Sequence, residues 1–135
     1  MKKRIIAAIL ALMTVFSFTG CSDNDGTVVI SERFFVHELQ EVVFNYQQYL
    51  GRTIQLQGMF RTWNIDGVDR FLVMRYTQDC CGAKPVGMEV VLEDFSPFAD
   101  DTWVEAEGIL AIINGFLVIQ VTSITEPARR GAEVV

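Results

Sequence analysis

Histidine occurs once in this sequence, and cysteine and proline three times each. A single imidazole, His37, rules out a zinc site built on several histidines and makes any Cys-His catalytic pair depend on that one residue. The dithiol spacing C-x-x-C is missing, which excludes the usual redox motif. The longest apolar run, Ile5 to Phe18, has about 14 residues, short of the roughly 20 that a helix needs to cross a bilayer. No internal repeat or low-complexity tract occurs. Positive charge is scarce too, with 11 Lys and Arg against 17 Asp and Glu and a net charge of −6. A surface of that sign repels phosphate backbones, so nucleic acid is excluded as a partner.

What is present begins with a basic head, Lys2, Lys3 and Arg4, ahead of that apolar run. The pattern is a secretory signal rather than a membrane span. Phe18-Thr19-Gly20-Cys21 resembles the bacterial lipobox, with Phe18 where leucine is usual. Residues 1–20 then form a lipoprotein signal peptide, and Cys21 becomes a lipidated N-terminus. Acyl chains such as palmitate would anchor the protein to the outer side of the bacterial cell membrane, in the envelope. The polar stretch that follows makes residues 21–30 a tether ending in a short strand, TVVI. Removal of the signal leaves 115 of the 135 residues, one domain with a real core. It takes three positive charges from the net −6, leaving −9.

Residues 31–127 read as a helix followed by a barrel, and 128–135 as a frayed tail. Phe35, Leu39, Val42, Val43, Tyr46 and Leu50 recur at threes and fours, one apolar face of one helix. Ser31 is its expected N-cap and Gly51 its stop. From Thr53 the period turns to two. TIQLQGMFRTW and RFLVMRYT flank an Asp66-Gly67 turn; MEVVL is a third strand; WVEAEGILAII and FLVIQVTSI flank Asn114-Gly115. Gly58, inside the first of these strands, predicts a bulge or a sharp coil. The fold class is mainly β: a small five-stranded OB-like Greek-key barrel preceded by one α-helix.

The run YLGRTIQLQGMF, the Cys-Cys pair, PVGMEV and WVEAEGIL together resemble the C-terminal, OB-like domain of the YcgQ-like permease-subunit family and small Cys-Cys bacterial lipoproteins. The likeness rests on Gly51, Gly58, Arg75, Cys80, Cys81, Pro85, Gly87, Trp103 and Gly108. It implies an accessory role beside a permease associated with metal handling. The acidic residue that usually follows the pair in that family has no equivalent in Gly82-Ala83-Lys84.

Cys80 and Cys81 are the residues with chemistry to offer. Side chains of adjacent residues in an extended segment point to opposite faces, so both sulfurs can meet one ion only from a turn, which Gly82 allows. Zinc is the cation such donors suit, with Asp79 or His37 as further ligands. Oxidation to a vicinal disulfide is a second reading, a switch or a stiffener of the loop. A nucleophilic thiol is a third, with Arg75 and Lys84 supplying positive charge nearby. These alternatives stay open on sequence. The functional expectation is a non-enzymatic extracytoplasmic lipoprotein, an OB-like binding module with a candidate site at Asp79, Cys80, Cys81, Arg75 and Lys84. A thiol-redox protein and a purely structural envelope protein are its rivals.

Overall fold

The computed structural model describes residues 26–135. Expectations about the signal segment and Cys21 lie outside the described residues.

Five long strands close into a barrel. β2 (Thr53–Ile65) and β3 (Val68–Asp79) form one hairpin, β5 (Trp103–Ile113) and β6 (Phe116–Thr125) another, and β4 (Gly82–Val91) lies between them. β4 meets β6 in parallel through Glu89, Val90 and Val91, while β2 returns to β5, so the ring runs β2-β3-β4-β6-β5-β2. This is the OB-like arrangement expected. Both predicted hairpin turns are present, with positive φ at Asp66 and Gly67 and at Asn114 and Gly115. That backbone twist matches the twist of the flanking strands.

β2 serves two neighbours because it coils. Thr53 to Met59 pair with β5, and Met59 to Ile65 pair with β3. Gly58 sits at the change of partner, where a Cβ would lie 2.6 Å from the Met74 carbonyl oxygen. Only glycine lets the two backbones come so close.

A sixth strand, β1 (Val28–Val29), runs parallel to β2 and leads into α1 (Phe35–Phe44). Phe35, Leu39 and Val42 of α1 are buried and join the core with Ile54, Leu56, Phe60, Val73, Val90 and Leu110. The predicted single helix is two: α2 (Tyr46–Tyr49) follows after Asn45, whose side chain reaches back to Glu41 at 2.9 Å. Ser31 is not the cap; the N-cap position is Phe34, without a side-chain bond. Ser31 instead donates its backbone N–H to the Glu38 carboxylate at 2.5 Å. Gly51, at φ +79, stops the helix as expected. No helix among the described residues is long and apolar enough to cross a membrane.

Two differences from the sequence reading shape the rest of the molecule. The third barrel strand begins at Gly82 rather than at Met88, so the cysteine loop is the tip of a β3–β4 hairpin. Pro85, which reads as a loop signal, faces Tyr76, whose N–H is given to Glu133 and whose carbonyl accepts from Val135. Pro85 therefore occupies a place in the ladder where no donor is required. The second difference is the tail. It does not fray but lies along β3, with Tyr76 bridged to Val134.

Candidate functional site

β3 pairs with β2 only as far as Met74, and β4 pairs with β6 only from Glu89. Between those limits the two strands pair with each other, from Arg75 opposite Val86 to Asp79 opposite Gly82, and Tyr76 alone also meets the tail. The result is a two-stranded arm that runs past the barrel wall. Cys80 and Cys81 are the two residues between its strand ends, and Gly82, at φ +115, supplies the conformation that turns the chain back. The turn resolves the geometric problem of adjacent cysteines, because both sulfurs come to the same side.

Their Sγ atoms are 3.5 Å apart, both residues are exposed, and both thiols are free. Asp79 completes the cluster. Its Oδ1 accepts the Cys81 backbone N–H at 2.8 Å, and its other oxygen is paired with the Lys84 ammonium from the opposite strand. The Lys84 ammonium first, and the Cys81 N–H second, hold the Asp79 carboxyl below the usual carboxylate range. One ligand atom from each of Asp79, Cys80 and Cys81 lies within 4.8 Å of the others. Sulfur and carboxylate donors so close suit a thiophilic cation such as zinc. Asp79, the residue before the pair, places a carboxylate beside both sulfurs.

Four of the expected site residues, Asp79, Cys80, Cys81 and Lys84, meet at this tip. His37 does not. It is exposed on α1, beside a surface depression lined by Val28, Val29, Glu38, Glu41 and Tyr49, and it takes no part in the three-residue cluster.

Arg75 is likewise not part of the tip. Its side chain is buried at 1 % exposure, donating to the Gln57 carbonyl at 2.8 Å, to the Ala132 carbonyl at 3.1 Å and to Glu32 at 3.2 Å. Its guanidinium lies 4.9 Å from the Phe35 ring and 4.8 Å from that of Trp103. Burial pulls its pKa down while Glu32 works against that shift. Strand parity was the available signal: Phe71, Val73 and Arg75 alternate along one strand, and Val73 is core. Its partners Glu32 and Ala132 carry no comparable signal, since neither lies near Arg75 in sequence.

A groove of about 480 Å³ between the β2–β3 and β5–β6 turns is lined by Ile65, Val68, Arg70, Glu89 and Phe116 among others. OB barrels commonly bind on this side. Here Arg70 and Glu89 form an ion pair with each other, and Phe116 covers the guanidinium at 3.8 Å, so the charges are already satisfied.

No curated protein matches the chain. Among solved structures, it is similar to the N-terminal domain of PriB protein from Thermoanaerobacter tencongensis, solved as a dimer. The identity is 16 %, the match covers 57 % of this chain and 97 % of that one, and the TM-score is 0.33. That superposition is too partial to bear on this chain. The family model of the DUF1980 C-terminal domain matches residues 17–129. An OB-like barrel carrying an exposed Cys-Cys turn agrees with the resemblance read from Gly51 to Gly108, and the chain belongs to the DUF1980 C-terminal domain family.

Proposed function

We propose that the protein is a non-enzymatic, extracytoplasmic, lipid-anchored binding module whose β3–β4 arm presents a thiophilic metal site, serving a permease of the cell envelope. The observation that carries this reading is the tip itself: two free, exposed thiols 3.5 Å apart with a carboxylate beside them. Buried structural cysteines are packed and inert, whereas these stand exposed at the tip of a hairpin. The cluster contains no histidine, the base that usually activates a cysteine nucleophile, which favours ligation over nucleophilic catalysis. The basic head, apolar run and Cys21 support the anchor, and a lipid chain needs no membrane helix.

The test is stoichiometric zinc uptake by the reduced protein, read by equilibrium dialysis. One ion per chain is expected, and equal uptake by a Cys80→Ser, Cys81→Ser double variant would end the proposal.

A second reading, thiol redox, is favoured by the same 3.5 Å spacing, since a small closure would bring the sulfurs to bonding distance. Oxidation by glutathione disulfide would join Cys80 to Cys81 and release two glutathione thiols. Thiol titration after such treatment separates the readings: two thiols still titrating would eliminate the redox role.

A further inference from the structure

The donors at the tip are consecutive residues of one turn, which restricts how they can surround an ion. All three are exposed, and they reach any shared cation from the side of the arm. Two thiolates on a tetrahedral zinc with Zn–S bonds of about 2.3 Å stand roughly 3.8 Å apart, and the sulfurs here need to separate only slightly from 3.5 Å. Two sulfurs and one carboxylate make three ligands. Among the described residues no further Cys, His, Asp or Glu of this chain joins the group. Structural zinc sites close with four protein ligands, while sites that exchange or react keep one position open.

Lys84 adds a second feature. Its ammonium is paired with the oxygen of Asp79 that is not engaged by the Cys81 N–H. An arriving cation must compete with that ammonium for the carboxylate. The arrangement weakens retention while leaving the ligand set intact.

Resting on the metal-binding reading above, we infer that the arm is a hand-over site, which holds a thiophilic d10 cation by Asp79, Cys80 and Cys81 and passes it to a thiolate-bearing acceptor through the open fourth position. Loading with zinc releases two protons, one from each thiol, and leaves a site of net charge −1 from one dication, two thiolates and one carboxylate. An acceptor thiolate enters the open position and displaces water. Further donors of the acceptor replace Cys81 and Cys80 in turn, each departing thiolate takes back from solvent one of the two protons released on loading, and Lys84 closes again on Asp79. No oxidant or reductant is consumed, because the cation keeps its charge throughout.

The experiment uses the full reduced chain with zinc, and with cadmium as a spectroscopic substitute. Cadmium–thiolate absorption counts the sulfurs, light scattering gives the mass of the loaded species, and transfer to pyridylazoresorcinol or to a dithiol peptide is followed at several acceptor concentrations. One ion per chain, two thiolates per ion and a transfer rate that climbs with acceptor concentration support the inference. Lys84→Gln should bind roughly two- to fivefold more tightly and transfer correspondingly more slowly, the size of an exposed ion-pair effect. Half an ion per chain with four thiolates, or a rate independent of the acceptor, would overturn hand-over while leaving metal binding in place. No uptake, or uptake unchanged in the Cys80→Ser, Cys81→Ser variant, would overturn both.

Discussion

Glu32 and Arg75 meet at 3.2 Å although 43 positions separate them, and the Ala132 backbone joins the same pair from the tail. The entry to α1, the middle of β3 and the C-terminal segment are thereby tied at one buried guanidinium. Arg75→Ala would leave the Gln57 and Ala132 carbonyls without their donor and empty the space between Phe35 and Trp103. A loss of about 3 kcal/mol is expected in urea unfolding. Glu32→Gln, at a half-exposed position, should cost about 1 kcal/mol or less. Equal effects from the two would contradict the assignment of Arg75 as the centre of the network.

Acid should undo part of that tie. The Ala132 N–H first, and the Arg75 guanidinium next, hold the Glu32 carboxyl below its ordinary value of 4.5. A carboxyl depressed in the folded state stabilises the fold above its unfolded value, and the contribution disappears as pH falls through the folded value. The gap in unfolding midpoint between the natural chain and Glu32→Gln is therefore full at neutral pH and closes below pH 4.5. Thermal melts across that range measure it, and a gap that stays constant into acid would refute the linkage.

The tail gives a third expectation. Tyr76 donates its N–H to Glu133 at 2.7 Å, and its carbonyl accepts from Val135 at 2.8 Å, where β2 has already turned away toward β5. Deleting residues 132–135 exposes that edge of β3 and removes the Ala132 contacts with Arg75 and Glu32. Hydrogen exchange at the Tyr76 amide should become fast, and stability should fall by about 2 kcal/mol. Undiminished protection at Tyr76 would mean that the tail adds nothing to the edge.

Much of this architecture was legible because short-range chemistry specifies it. Asp66-Gly67 and Asn114-Gly115 are turn pairs whose positive φ requires those residue types, and the alternation of Ile54, Leu56, Gly58 and Phe60 marks the buried face of β2. The tip was half legible. Adjacency of Cys80 and Cys81 shows that a shared ligand needs a turn, but Lys84 and Pro85 look like loop, and only the register opposite Tyr76 and Thr77 shows them to be strand. The Arg75 network was not legible, since Glu32 and Ala132 reach it through tertiary folding. The tail was misread for the same reason: EPARRGAEVV has the composition of a loose end, and what holds it is the edge of β3 that β2 leaves beyond Met74.

Gly82 offers a way to disturb the tip without touching a donor atom. At φ +115 an alanine is strained, although nothing lies within 4 Å of the added Cβ. Strain of that kind costs roughly 1–3 kcal/mol where the surroundings enforce the conformation. Beyond Tyr76 the arm pairs only with itself, so the turn can relax locally, and the barrel below Met74 and Glu89 need not respond. Gly82→Ala should therefore shift the melting temperature little while changing the spacing of the two sulfurs, and zinc affinity should drop by roughly 10- to 100-fold, as when a supporting contact of a metal site is lost. Both thiols should still titrate, and Ala83→Gly next to it should bind as the natural chain does. Unaltered affinity in Gly82→Ala would show that the turn geometry is not what brings the donors together.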